Sequence, residues 1–210
     1  DQPVRVSGLA YGPAEVQQWG VTARQVDFFD IKGDVEALLA PRQARFVAFD
    51  HPAFHPGRCA QVWVGDVAVG VVGELHPKWR QAYDLPQAPV LFELDAQVLA
   101  QRGVPAFTSV PKMQSVFRDL ALVVTDTTSH DSVISAITQA PTGGLVRGAR
   151  LFDIYKPKAA VAGMAENERS LAVRIELRDD EQTLNDERIE QGIKQVIDAV
   201  AQSVGGRVRA

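Results

Sequence analysis

The sequence predicts an α+β chain in two parts: an antiparallel sheet with helices, then a ferredoxin-like βαββαβ unit. Three observations predict it. From Asp119 to Arg209 the patterns run strand, helix, strand, strand, helix, strand. The first hundred residues are mostly short strand patterns, with Gly65-Asp66 as a two-residue turn between apolar runs. Between the two, Gly103, Pro105, Ser109 and Pro111 break every periodic pattern. The expected division is a scaffold domain over 1–100, a linker over 101–115 and a second domain over 116–210.

In the first part, Val4-Arg5-Val6 reads as a strand start. Ile31 to Leu39 has helical spacing, with Pro41 to stop it and Asp30 as a candidate cap. Phe46 to Phe49, Cys59 to Val64, Val67 to Val72 and Val90 to Leu94 read as strands. In the second part, Asp119 to Val124 is a strand with Leu120, Leu122 and Val124 on one face. Asp131 to Ala140 is a helix burying Val133, Ile134 and Ile137. Arg147 to Tyr155 and Ser170 to Leu177 are the next strands. Asn185 or Thr183 caps a long helix whose apolar stripe is Ile189, Ile193, Val196, Ile197, Val200 and Val204. Gly205-Gly206 ends it, and Arg207-Val208-Arg209 is the last strand.

Such a unit covers one sheet face with its helices and leaves the other open. Alternation places Phe152 and Ile154 in the helix-covered core, and Asp153, Tyr155 and Arg174 on or beside the open face. An aromatic ring can stack on an unpaired base, and a carboxylate can accept hydrogen bonds from a guanine edge. Equally, Tyr155 can simply end a strand and Asp153 cap a turn before Lys156-Pro157. Arg147, Arg150, Lys156 and Lys158 cluster near this strand. They suit phosphate contacts that position RNA without reading it, or a solvated loop.

Composition narrows the function classes. Of 210 residues, 46% are hydrophobic and 23% charged, with a net charge of −4. No long basic block exists, so broad electrostatic capture of nucleic acid is excluded in favour of a local patch. No apolar run approaches the roughly 18–20 residues that span a bilayer, so no membrane partner is expected. The chain opens on Asp1-Gln2-Pro3 without a signal peptide and reads as an excised piece. Cys59 is the single cysteine, which fits a reducing cytoplasm. His55 is four residues away, but Pro56-Gly57 intervenes, so Cys59 reads as structural rather than catalytic. His51 and His55 have zinc-like spacing, but Pro52 and Pro56 prevent a regular helix and no third ligand is evident. Asp27, Asp30 and Asp34 fit no cation-binding loop, and no glycine cluster forms a phosphate cradle. No catalytic residue and no metal ligand emerges.

Three stretches of the second part go further. They are Phe117-Arg118-Asp119-Leu120-Ala121-Leu122-Val123-Val124, Leu151-Phe152-Asp153-Ile154-Tyr155, and Glu168 to Ala172 with Gln182 to Glu187. Together they resemble the ferredoxin-fold anticodon-binding domain of the bacterial phenylalanyl-tRNA synthetase β chain. Asp27 to Glu36, Phe54-His55-Pro56-Gly57-Arg58 and Gly70 to Pro77 resemble that chain's catalytic-like module. The resemblance covers nearly the whole chain in the expected order. It implies a non-catalytic C-terminal fragment that binds tRNA(Phe) and serves as scaffold to the α chain of an α2β2 ligase. That ligase uses ATP and Mg2+, whereas this fragment needs no cofactor of its own. The family's anticodon-reading aspartate and tyrosine fall on Asp153 and Tyr155, with Arg174 beside them. Lys112, Arg118, Arg147, Lys156 and Lys158 are the implied phosphate contacts. Gln114 and Phe117 depart from the proline and basic residue frequent in the family.

Two other classes compete: an acylphosphatase-type enzyme and a regulatory small-molecule-binding domain. Both want glycine or an anion loop after the first strand of the unit. Here that connection is Thr125-Asp126-Thr127-Thr128-Ser129-His130, acidic and without glycine.

Overall fold

The computed structural model describes residues 2–101, 103, 107, 110–157, 161 and 163–209. The chain divides into two compact units, Asp1–Ala106 and Phe107–Ala210. Part of the expected linker, including Pro105 and Ser109, lies outside the described residues, as does Lys158.

The first unit contains β1 (Arg5–Ala10), α1 (Phe28–Leu39), β2 (Ala44–Ala48), β3 (Phe54–Val64), β4 (Val67–Leu75), α2 (Pro77–Ala82), β5 (Val90–Asp95) and α3 (Ala96–Ala100). Its sheet runs β1-β5-β4-β3-β2 with antiparallel neighbours. The Gly65-Asp66 turn joins β3 to β4, with Val64 opposite Val67 and Gly65 at φ 58°. A left-handed φ of this kind favours glycine. Helix α1 starts three residues earlier than its apolar spacing suggests, because Asp27 is the cap rather than Asp30. The Asp27 carboxylate accepts from Phe29 N (2.8 Å) and Asp30 N (3.3 Å). Asp30 Oδ2 accepts from Asp27 N in return, closing a capping box. Ile31, Val35 and Leu39 then pack among Val62, Val69, Val72, Val90 and Leu94. Burying each such side chain contributes about 1.5–3 kcal/mol. Cys59 is buried, and burial, with Asp50 second, pushes its thiol up to about 11. It is therefore protonated at neutral pH and is a poor nucleophile.

The second unit runs β6 (Val116–Thr125), α4 (His130–Thr138), β7 (Val146–Tyr155), β8 (Glu168–Leu177), α5 (Asp186–Val204) and β9 (Arg207–Val208). Its antiparallel sheet has the order β7-β8-β6-β9, the ferredoxin-like arrangement. Ser129 Oγ accepts from Ser132 N to cap α4, and Asn185 Oδ1 accepts from Arg188 N to cap α5. Gly205 at φ 65° closes α5 in the left-handed conformation. Val133 and Ile137 of α4, with Ile189, Val196 and Val200 of α5, cover Leu122, Val124, Leu171, Val173, Ile175 and Leu177. One sheet face is therefore core and the other is left to the solvent side.

The expected inward placement of Phe152 is wrong, and Ile154 is only partly covered. They are 54% and 52% exposed, whereas Leu151 packs on the core. Leu151, opposite Val173, points inward, so Phe152 beside it points outward, and a register shift then sets Asp153 opposite Ala172 on the same open face. One residue is inserted at Phe152, so the alternation set by Ala149 and Leu151 reverses after it. Ile154 lies opposite buried Leu171, on the helix side of this edge strand, but remains half exposed.

Candidate nucleic-acid interface

The open face follows from register, because residues directly opposite in antiparallel strands share a face. Leu171, Val173, Ile175 and Leu177 point to the core, so Ser170, Ala172, Arg174 and Glu176 point away. Their partners extend that face to Phe117, Asp119, Ala121 and Val123 on β6 and to Arg150, Asp153 and Tyr155 on β7. Asp153, Tyr155 and Arg174 thus stand on one surface. Asp153 is exposed, and its Oδ1 accepts from Ile154 N at 2.9 Å. A carboxylate has about four acceptor positions, so most remain available.

Arg174 is held from two sides. Its Nε and Nη2 donate to Asp119 Oδ1 and Oδ2 at 2.8 and 2.7 Å. This paired hydrogen bonding pulls the Asp119 carboxyl below its usual range and raises the guanidinium. The guanidinium carbon also lies 5.5 Å from the Phe152 ring centroid. Arg150 sits directly opposite Arg174.

At the other end of the face, the Arg209 guanidinium lies 4.8 Å from the Tyr155 ring centroid. Tyr155 is on edge strand β7, while Arg209 follows β9 and donates its N–H to Ala121 O at 2.8 Å. These two side chains therefore meet across β8 and β6. Such a strap accounts for the burial of Val123 (0% exposed) and Ser170 (4%), which point to the open side. Beside it, Arg207 donates to both oxygens of Glu168 (2.6 and 2.7 Å). With a further bond from Ala165 N, this lowers the Glu168 carboxyl to about 2.

The remaining expected contacts are not brought together. Arg147 donates to Asp180 at 2.6 Å and Lys156 to Asp126 at 2.7 Å. Arg118 lies opposite Ile175, on the helix side, and donates to Phe117 O. Lys112 is exposed before β6. Four residues of the face escaped the sequence reading. Phe117 and Asp119 were legible, because the inward set Leu120, Leu122 and Val124 sends the odd-numbered positions outward. Phe152 was not legible, since nothing local marks the inserted residue. Arg209 could not be placed from its own strand.

Among the described residues no three His, Cys, Asp or Glu side chains form a metal site, and no helix is long and apolar enough to cross a membrane. The family model for the phenylalanyl tRNA synthetase beta chain CLM domain matches residues 1–96, and that for the ferredoxin-fold anticodon binding domain matches residues 111–209. A phenylalanine–tRNA ligase beta subunit from Ralstonia nicotianae is 48% identical over 213 residues, covering 100% of this chain. The beta subunits from Cupriavidus pinatubonensis and Chromobacterium violaceum are 44% and 46% identical, over 99% and 100% of it. The chain spans 26% of the length of these relatives. With both domains matched in order and identity sustained throughout, the chain belongs to the phenylalanyl-tRNA synthetase β-chain family.

Proposed function

We propose that the second unit binds the anticodon loop of tRNA(Phe) on its open sheet face. The observation that carries this is the Tyr155 ring, 42% exposed, beside the outward Asp153 carboxylate on that face. In this reading a base stacks on Tyr155, and Asp153 accepts from the N1–H and N2–H2 groups of a guanine. Arg174, fixed by Asp119, borders the site. Arg150 supplies a phosphate contact in place of the ion-paired Arg147 and Lys156, while Lys112 contributes at the periphery and Arg118, on the helix side, does not line the face.

The first domain (1–100), joined by the linker 101–115, acts as a non-catalytic scaffold for an α chain in an α2β2 assembly in the cytoplasm. That assembly attaches phenylalanine to tRNA with ATP and Mg2+, which act at the α chain. The acylphosphatase-type reading is disfavoured by the β6–α4 connection. Its hydroxyls bond each other, Thr125 Oγ1 lying 3.0 Å from those of both Thr127 and Thr128, and Asp126 holds Lys156.

Asp153→Asn tests the reading. An amide cannot accept both guanine donors, so discrimination between guanine and adenine at one anticodon position falls when the variant is reconstituted with the α chain. Unchanged discrimination refutes the assignment of Asp153.

A further inference from the structure

We infer that the open face carries a second base platform, the Phe152 ring under the Arg174 guanidinium, separate from the one at Tyr155. The inference rests on the proposed RNA-binding role and adds to it a second stacking residue.

In β7 Leu151 points to the core, opposite Val173, so Phe152 beside it points to the open face. The register shift that follows brings Asp153 onto the same face beside it, and the ring is 54% exposed. A large apolar ring held in water is unfavourable unless something covers it. Bulges recur where a strand re-aims a side chain for use.

The surroundings of Phe152 select the ligand. Its ring is covered by a guanidinium, at 5.5 Å, that two hydrogen bonds anchor to Asp119. Tyr155 is covered by the Arg209 guanidinium in the same way, at 4.8 Å. Two ring–guanidinium pairs of the same make therefore stand on one face. A planar base fits between ring and guanidinium, stacking on both. Two stacking contacts of about 3.5 Å need about 7 Å. Arg174 must then lift by about 1.5 Å, within reach of its flexible stem. Around Phe152 stand Arg150, Arg174, Asp119 and Asp153, donors and acceptors that match base edges and phosphate. A greasy protein groove would find four charged groups here, so a single-stranded RNA is the occupant.

The spacing makes the two platforms distinct. Phe152 and Tyr155 are three residues apart, one of them in the bulge, or roughly 7–10 Å at the usual strand rise. One base cannot lie flat on both rings. The face therefore takes two unpaired bases of one strand, with Asp153 between them.

The test is a cycle on the intact chain. The probe is an anticodon stem–loop of tRNA(Phe), bound at fixed salt. Phe152→Ala is expected to weaken binding about 5- to 150-fold, with Phe152→Trp restoring it and Phe152→Leu not. Making each anticodon position abasic in turn locates the partner. The Phe152→Ala loss should vanish with one abasic RNA and the Tyr155→Ala loss with a different one. Since Phe152 is exposed, the Phe152 variants should melt like the parent, and Tyr155→Ala is read under conditions where it is folded. If Tyr155→Ala weakens binding and Phe152→Ala stays within twofold, the second platform is wrong and the first stands. Coupling of both residues to the same base also overturns it. If the parent chain does not bind the stem–loop, the RNA-binding reading falls with it.

Discussion

Replacing Tyr155 by alanine should do two separable things. The residue is 42% exposed, so a little over half of its surface is withdrawn from water, and its ring lies 4.8 Å from the Arg209 guanidinium. Covered aromatic residues bury 150–250 Å2, so its share is roughly 100–130 Å2, or about 2.5–3 kcal/mol at 25 cal/mol/Å2. Loss of the cation–π contact adds about 0.5–1 kcal/mol at such an exposed position. Extended-chain burial is an upper bound, so the expected loss is about 3 kcal/mol. It should fall on the unfolding transition of the second unit, read by urea titration. Loss of the stacking face should separately weaken anticodon stem–loop binding by about 1–3 kcal/mol, read by fluorescence anisotropy on the folded variant. Tyr155→Leu divides the two effects. It keeps much of the cover over Val123 and Ser170 but has no π face. It should recover most of the stability and none of the binding. Wild-type affinity in a folded Tyr155→Leu chain would refute the stacking argument.

Other expectations follow from the same geometry. Glu168 is held at about 2 against a usual 4.5, mainly by Arg207. A depressed carboxyl contributes stability that is complete above about 4.5 and lost as pH falls through about 2. Carboxyl-carbon NMR should find its midpoint near 2, and Arg207→Ala should raise it toward 4.5; an unmoved midpoint contradicts the pairing. Gly70→Ala places a Cβ 2.1 Å from Glu93 O and 2.9 Å from Leu94 Cα, both backbone atoms. Strands β4 and β5 must part, so the first unit should lose about 3 kcal/mol or more, and a near-neutral denaturation curve would be incompatible with this close approach. Asp27→Ala removes the α1 cap and should cost about 1 kcal/mol in the same assay. On the open face, Arg150, Arg174, Arg207 and Arg209 stand against Asp119, Asp153, Glu168 and Glu176. RNA affinity should therefore fall gently with salt, with a log–log slope no steeper than about −2, as for three or fewer phosphate contacts. A slope of −5 would point to backbone capture elsewhere.

The order of elements in the second unit was legible because helical and strand periods alternate cleanly from Leu120 to Val204. A cap at Asn185 or Thr183 and a stop at Gly205 were legible from residue type, and the hydrogen bond from Arg188 N picks Asn185. The α1 cap was placed three residues late, since both Asp27 and Asp30 are good caps and only the reciprocal hydrogen bonds distinguish them. The outward placement of Asp153 and Tyr155 was reached by taking one alternation through Leu151-Phe152-Asp153-Ile154-Tyr155. In the fold Leu151 points inward and Phe152 outward, and an inserted residue then returns Asp153 and Tyr155 to the open face. Bulges depend on the partner strand and leave no local pattern. Ion pairs that cross from element to element, Arg147 to Asp180 and Lys156 to Asp126, were invisible for the same reason. They turn apparent phosphate contacts into internal ones.

The measurement closest to the central claim is amide chemical-shift mapping of this chain titrated with the tRNA(Phe) anticodon stem–loop. Perturbations should gather at Phe152 to Tyr155, Ala172 to Arg174, Asp119 to Ala121 and Arg209. Perturbations confined to α4 and α5, or none at saturating RNA, would contradict a binding site on the open sheet face.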